Sequence, residues 1–297
     1  MVSNDFSEVI VGVDGRQGGR DAVALARQLA APGTRITLAH VHNTDWGQGK
    51  ANGIGVPLSL ERAESLLDSE LRRAGIVADT VAIAATPPAR GLHELAQQRQ
   101  ADLLVIGSPR RATLGRVLIG SVARTTFHGA PCAIAVAPYG YARGEHPLRK
   151  IGVGYNGTAE SQVALDTARA LGARRDAEVR ALWVVSIEDV RRERPIPADQ
   201  PEAVDRLLER CLHELRRIEG IHGDAVYGGP REELSRISQH LDLLVVGSRG
   251  YGPWGRLVHG SVSSYLLGHA SCPLLVLPRA AEPAASQAVV EPAAATG

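Results

Sequence analysis

The sequence repeats itself, and no other feature constrains the fold as strongly. Asp102-Leu-Leu-Val-Ile-Gly-Ser108 returns 140 residues later as Asp242-Leu-Leu-Val-Val-Gly-Ser248. Leu114-Gly115-Arg116, Gly120-Ser121-Val122, Cys132 and Pro138 return at the same spacing as Trp254-Gly255-Arg256, Gly260-Ser261-Val262, Cys272 and Pro278. Upstream, Ile10–Gly15 parallels Ile151–Gly157 at a spacing of 142. Solenoid repeats have periods of roughly 20–50 residues, so a period this long means a duplicated domain. The 297 residues suit two cores of about 140 residues each. The expected division is a first domain over 1–140 and a second over 148–279, with the boundary in the Gly/Arg/Pro-containing stretch Tyr139–Pro147. Residues 280–297, rich in Ala and Pro, are expected to form a disordered tail.

Within each half, short β-branched runs alternate with longer helical patterns. Strands are expected at 8–14, 34–41, 78–84, 102–107 and 132–137, with helices at 18–31, 57–74, 88–100 and 119–128. The second half repeats the order, with strands near 150–155, 178–186, 223–227, 242–247 and 273–278 and helices near 159–172, 200–218, 230–240 and 260–269. Near-continuous apolar strands between helices predict parallel sheets covered on both faces. Right-handed crossovers then make each half an α/β domain with a doubly wound, open, five-stranded parallel sheet. Residues 42–56 hold four glycines and no periodicity, so they read as a loop at the carboxyl edge of the first sheet.

Composition removes several classes of function. A net charge of +1 offers no basic patch for a phosphate backbone. Three Trp, six Tyr and two Phe are too few for base-stacking platforms, so no nucleic-acid partner is expected. Apolar runs stop at five or six residues, against the roughly 20 that a membrane span needs. No basic-then-apolar leader precedes Val9, which makes the cytoplasm the expected compartment. Cys132, Cys211 and Cys272 form neither a disulfide framework nor a CxxC metal site, and they read as small buried side chains. His93-Glu94 and His213-Glu214 lack the second histidine of a zinc helix.

Open α/β sheets bind ligands outside the carboxyl ends of their strands, where the strand order reverses. In the second half the loop after the fourth strand runs from Gly247 through Arg249 and Gly250 to Gly260-Ser261-Val262-Ser263. Gly247 would let a ligand approach the strand end, and Gly250 allows a left-handed turn. Gly260-Ser261 opens a helix whose free N–H groups and dipole favour an anion.

The spacing G-x2-G-x9-G-S, with an acid or amide ending the first strand, resembles the ATP-binding class of universal stress proteins. The resemblance covers residues 8–139 and 149–279, so the chain looks like a tandem member of that family. It implies a flavodoxin-like sheet in each half with strand order 3-2-1-4-5, a stress-response regulatory role, and ATP carrying Mg²⁺ on its phosphates. By matching positions, ribose hydroxyls would meet Asp14 or Asn156, and adenine would pair with backbone near Val41 or Val185. Phosphates would lie against Gly247, Arg249, Gly250, Gly260, Ser261, Val262 and Ser263 in the second half. In the first, only Gly107, Gly120, Ser121 and Val122 match.

Each half departs from the pattern once. Arg110 replaces the second loop glycine of the first half, behind Pro109, where a side chain penalises positive φ by about 1 kcal/mol or more. Asn156 replaces the acid of the second half, and an amide oxygen can still accept from a ribose hydroxyl. The loop change is the greater defect, so the second half is the expected nucleotide site.

A catalytic constellation is harder to find. No GxxxxGK[ST], GxSxG or protein-kinase signature is present. The loop Asp14-Gly-Arg-Gln-Gly-Gly-Arg20 lacks the serine of the SGGxDS-like loop that related nucleotide-hydrolysing enzymes carry. His40 and His42 read as core or loop residues, and His259 alone stands near the expected phosphates. No catalytic residue is therefore expected, and ATP hydrolysis is weak at most. Two alternatives stand beside nucleotide binding: a nucleotide-independent interaction module with vestigial loops, and a slow ATPase or nucleotidyl transferase. In either sheet the uncharged fifth strands, Cys132–Ala137 and Pro273–Leu277, would lie at an edge that needs cover. The two halves are thus expected to pair about a pseudo-two-fold axis, with a homodimer of the whole chain as a further expectation.

Overall fold

The computed structural model describes residues 6–42, 55–109, 117, 121–192, 201–248 and 260–278, with the backbone alone for 55–59, 121–122 and 201. Arg110, Gly120, Arg249, Gly250, His259, loop residues 43–54 and the tail from 279 lie outside the described residues, as do the side chains of Ser121 and Val122. The first half contains β1 (Glu8–Gly12), α1 (Gln17–Leu29), β2 (Arg35–His42), α2 (Gly55–Ala74), β3 (Asp79–Ala84), α3 (Pro88–Gln98), β4 (Leu103–Gly107), α4 (Ser121–Phe127) and β5 (Ala133–Ala137). The second contains β6 (Lys150–Tyr155), α5 (Ala159–Arg175), β7 (Glu178–Val185), α6 (Ile187–Arg192), α7 (Pro201–Arg216), β8 (His222–Tyr227), α8 (Pro230–Ile237), β9 (Leu243–Gly247), α9 (Ser261–His269) and β10 (Leu274–Leu277). The expected strands and helices are present. The short α6 and a 3-10 turn at Tyr141–Arg143 add to them.

Both halves have the strand order 3-2-1-4-5, and they join edge to edge. The resulting ten-stranded sheet runs β3-β2-β1-β4-β5-β10-β9-β6-β7-β8. Its pairings are parallel except for β5 against β10, which is antiparallel. Ala135 lies opposite Leu275, flanked by Ile134 opposite Val276 and Val136 opposite Leu274. Residues 135 and 275 are the same position of the duplicated sequence, so the pseudo-two-fold axis passes between them. The apolar edges that would template aggregation cover one another.

Burial follows the strand period of two. Val9, Val11, Leu103, Val105, Ile151, Val153, Leu243, Val245 and Leu275 pack on one face with residues of α1 and α5. Ile10, Leu104, Ile106, Ile134, Leu182, Leu244, Val246 and Leu274 pack on the other with residues of α3, α4, α8 and α9. Each layer runs through both halves, so the duplicated units share their core. Val117, fully buried, extends this union by donating its N–H to the Ala270 carbonyl at 2.9 Å.

The link between halves is pinned by one carboxylate. Asp21 on α1 is fully buried and accepts from Gly140 N–H at 2.7 Å, Ala142 N–H at 2.8 Å and Gln17 Nε2 at 2.8 Å. A buried charge needs such partners. Asp102 and Asp242 repeat a second device, each accepting backbone N–H groups at the entrance to the first strand of its half.

Candidate functional site

A cavity of about 1250 Å³ opens at the carboxyl edge of β6, β7 and β9. It lies where the order of the second sheet reverses between β6 and β9, the position at which such sheets take ligands. The turn after β6 shapes one wall. Gly157 adopts φ +73°, matching Gly15 at φ +71° after β1, and both turns lead directly into a helix. Thr158 caps α5, its hydroxyl accepting from Ser161 N–H. The opposite wall is the start of α9.

Seven of the residues assigned from sequence meet in this cavity: Asn156, Val185, Gly247, Gly260, Ser261, Val262 and Ser263. Ser261 and Val262 open α9, where the cap Gly260 supplies no side-chain hydrogen bond. The first N–H groups of a helix have no partner within it, and the Gly260 cap supplies none. Ser263 is buried, and its hydroxyl donates to the Gly260 carbonyl at 3.1 Å, so it braces the turn.

The geometry adds to three of these assignments. Asn156 does not offer its amide oxygen to the cavity. That oxygen already accepts from the Thr158 hydroxyl at 2.8 Å and the Thr158 N–H at 3.4 Å. Gly247 has a packing reason of its own beside any ligand, because a Cβ there would stand 2.6 Å from the Glu160 carbonyl oxygen. Gly107 repeats this, with a Cβ 1.8 Å from the Gly18 carbonyl oxygen. Both glycines let the first turn of a helix sit against a strand end. Val41, finally, is not the counterpart of Val185. Glu8 pairs with Arg35 and Lys150 with Glu178, which sets His42 against Val185 and Val41 against Val184. The Val185 carbonyl accepts from Gly228 N–H as the His42 carbonyl accepts from Ala85 N–H.

Several lining residues carry no motif and were not anticipated. Tyr155 and Trp183 meet edge to face at 5.5 Å, where the first half has Val13 and His40 joined through the Val13 carbonyl at 2.8 Å. Burial, with help from Glu214 and Asp166, raises the Tyr155 pKa above its ordinary value. Ser186 and Asp189 exchange hydrogen bonds across the start of α6, an S-x-x-D pattern legible as a cap. Glu160, Glu188, Asp189, Glu214 and Glu232 face the cavity alongside Arg192, Arg210 and Arg231, so its described lining is net acidic.

The first half presents a different picture. Asp14 is exposed after β1, and its Oδ1 accepts from Arg16 N–H at 3.0 Å. Val41 is partly buried and packs against the apolar layer that contains Ile10 and Leu104. Gly107 ends β4, and Ser121 and Val122 begin α4. Among the described residues no helix is long and apolar enough to cross a membrane, and no cluster of metal-ligating side chains occurs.

Comparison with known proteins bears on both halves. A family model described as the Universal stress protein family matches residues 5–138 and again 147–278. A universal stress protein of Mycolicibacterium smegmatis is 27% identical over 288 residues, spanning 91% of this chain and 96% of its own. A universal stress protein of Mycobacterium tuberculosis H37Rv is 28% identical over 291 residues, spanning 90% and 96%. The crystal structure of a universal stress protein from Archaeoglobus fulgidus superposes with a TM-score of 0.63 at 17% identity, covering 94% of this chain and 100% of that one. The last similarity is one of fold.

Proposed function

The chain belongs to the universal stress protein family, as two tandem domains, and from that premise we propose that its second half binds an adenine nucleotide, with ATP carrying Mg²⁺ as the first candidate, in a stress-response regulatory role. One observation carries this reading: four distant stretches of sequence, at Asn156, Val185, Gly247 and 260–263, line one cavity of about 1250 Å³. Ligand pockets of roughly 300–1,000 Å³ hold drug-sized molecules, so a nucleotide fits by volume.

The chemistry fits with one condition. The uncapped start of α9 is a place for phosphate, since free N–H groups and the helix dipole both favour negative charge there. The carboxylates of the lining oppose a polyphosphate, so neutralising charge would come from a divalent cation bound to the nucleotide together with Arg192, Arg210 and Arg231 of the same lining. No acid–base or nucleophilic constellation accompanies the cavity among the described residues, and the reading is of binding with at most slow turnover.

A second reading holds for the first half. Its Gly107 packs on a helix turn just as Gly247 does, but Arg110 stands where the second half has Gly250. We assign it weaker nucleotide binding or a structural role. Titration of the full chain with ATP by calorimetry, with mass analysis of any co-purified nucleotide, tests both assignments. Gly250→Asp places an anion in the loop and should abolish binding. Two equivalent sites, or unchanged binding by that variant, would overturn the assignment to the second half.

A further inference from the structure

We infer that β3 is a second pairing edge, along which two copies of the whole chain join antiparallel about a two-fold axis through Ala82. The sheet ends in β3 on one side and β8 on the other, and among the described residues neither has a partner on its outer side. A free edge invites another strand, and charged side chains are a common defence. β8 has that defence. His222 and Asp224 on it are exposed, and a Glu178 oxygen stands 3.9 Å from His222 Nε2. The pairings of β2 with β3 and of β7 with β8 make Val81 the match of Asp224. After Asp79 at the start of β3, no charged residue occurs until Arg90. Val77, two residues before the strand, is 99% exposed.

The backbone sets the register of such a pair. Ala85 donates its N–H to the His42 carbonyl at 3.2 Å, so its backbone groups face β2. Successive residues of a strand turn these groups to alternate sides. Val81 and Ile83 therefore face β2 as well, while Thr80, Ala82 and Ala84 turn their N–H and C=O groups outward. Antiparallel strands bond through facing pairs of outward residues, each pair exchanging both N–H···O bonds. With the axis at Ala82, that residue meets its own copy and Thr80 meets the second copy's Ala84, so every outward group of β3 finds a partner. Val81 then lies opposite the second copy's Ile83. Both side chains are only partly buried, on the face where α3 lies over β2, and β-branched pairs of this kind stabilise a sheet. Asp79 falls opposite the second copy's Ala85, so no like charges meet.

A second β3 fits this edge better than β8 of another copy does. β8 would bring Asp224 against the apolar face of Val81 and Ile83. It would also join the chains head to tail, leaving a free β3 at one end and a free β8 at the other, which is the geometry of a growing filament. Two β3 strands close instead. The sheet of the pair then ends on both sides in β8, the edge that carries the charges. The same geometry already operates within the chain, where Ala135 and Leu275, matching positions of the two halves, face each other across β5 and β10.

Sedimentation equilibrium of the full chain tests this, and a species of twice the 31.5 kDa chain mass is expected across the micromolar range. Ala82→Pro deletes an N–H that points away from β2, a change an edge strand tolerates. Both copies lose a bond on the axis, so the dissociation constant should rise roughly tenfold or more. Thr80→Lys, at an exposed position, sets a charge opposite Ala84 and should act in the same direction. Ala225→Pro makes the first change at the matching position of β8 and should leave the dimer intact. Amide exchange of the unmutated chain gives a reading free of any folding defect: Thr80, Ala82 and Ala84 should be protected in the dimer and lose that protection on dilution. A chain that stays monomeric overturns the inference. So does a dimer that both β3 variants leave unchanged, one that Ala225→Pro dissolves, or one in which those three amides exchange as freely as an open edge.

Discussion

Ser261 is the residue at which nucleotide binding and fold stability can be driven in opposite directions. It is exposed and opens α9 behind a glycine cap with no side-chain oxygen. Ser261→Asp puts a carboxylate among the first N–H groups of α9, to which the cap offers no side chain. For the folded chain alone this is favourable by about 0.3–1 kcal/mol through the helix dipole, and it should raise the melting temperature by roughly 1–4 °C. For a bound phosphate it is a like charge in the same cradle. Two unit charges about 4 Å apart at an effective dielectric of about 20 repel by ~4 kcal/mol. Screening at ordinary salt and side-chain mobility reduce this to about 2 kcal/mol, roughly a 30-fold loss of ATP affinity. Calorimetry with ATP and a thermal melt of the free protein read the two effects separately, and Ser261→Asn, which adds similar bulk without charge, controls for shape. An ATP affinity unchanged within about twofold in the aspartate variant would refute the placement of phosphate at α9.

Gly247→Ala should cost about 1–3 kcal/mol in urea denaturation, because its Cβ would press on the Glu160 carbonyl oxygen at 2.6 Å; an unchanged midpoint would show that the first turn of α5 yields freely. Asp21→Ala strands the Gly140 and Ala142 N–H groups and should cost about 2–5 kcal/mol by the same assay, and a loss under about 0.5 kcal/mol would contradict the pinning of the link. Burial pushes the Cys132 thiol up to about 12 and the Cys272 thiol upward as well, so neither should react with a thiol reagent at pH 8 until the chain unfolds. Because the folded thiols hold their protons longer than unfolded ones, stability should be complete below pH 9 and fall as pH rises above it, by up to about 1.4 kcal/mol per pH unit for each thiol; melts between pH 8 and 10 check the sign.

The elements were legible because their signals are local and periodic. Runs such as Leu103–Gly107 are apolar on both faces, as buried parallel strands must be. The pairing of β5 with β10 was also legible, since an uncharged edge strand demands cover. What escaped depended on registers and on neighbours distant in sequence. β6 follows β1 by 142 residues, but β7 follows β2 by 143. A one-residue insertion between the two strands therefore shifts the match of Val185 from Val41 to His42. Gly247 was readable as special, yet the reason, a helix turn contributed by Glu160, lies far back in the chain. The orientation of Asn156 turns on Thr158, a residue that reads on its own only as a helix cap. The short α6 escaped because six residues contain too little periodicity to register.

Fusion also explains how the halves came to differ. Two separate copies that meet on a two-fold axis receive each substitution twice, at both ends of the interface. Within one chain a change can be made on one side alone, and the structure contains such changes. Asp21 holds the link from α1, while the matching position on α5 is Val163. Arg174 and Arg175, at the end of α5, donate to the Arg27, Gln28, Leu29 and Ala30 carbonyls that close α1, where a cation is favoured. The matching positions of the first half are Pro32 and Gly33, which can return no such bond. At the strand ends the same freedom shows as Val13 and His40 against Tyr155 and Trp183, and as Asp14 against Asn156. The β5–β10 register stays centred on equivalent residues, Ala135 and Leu275, because the shared sheet requires it. The pairing register is therefore what the sheet edge keeps symmetric, although only Val136 and Val276 are identical across the two edge strands, while the cavity walls, which face no copy of themselves, have separated in their chemistry.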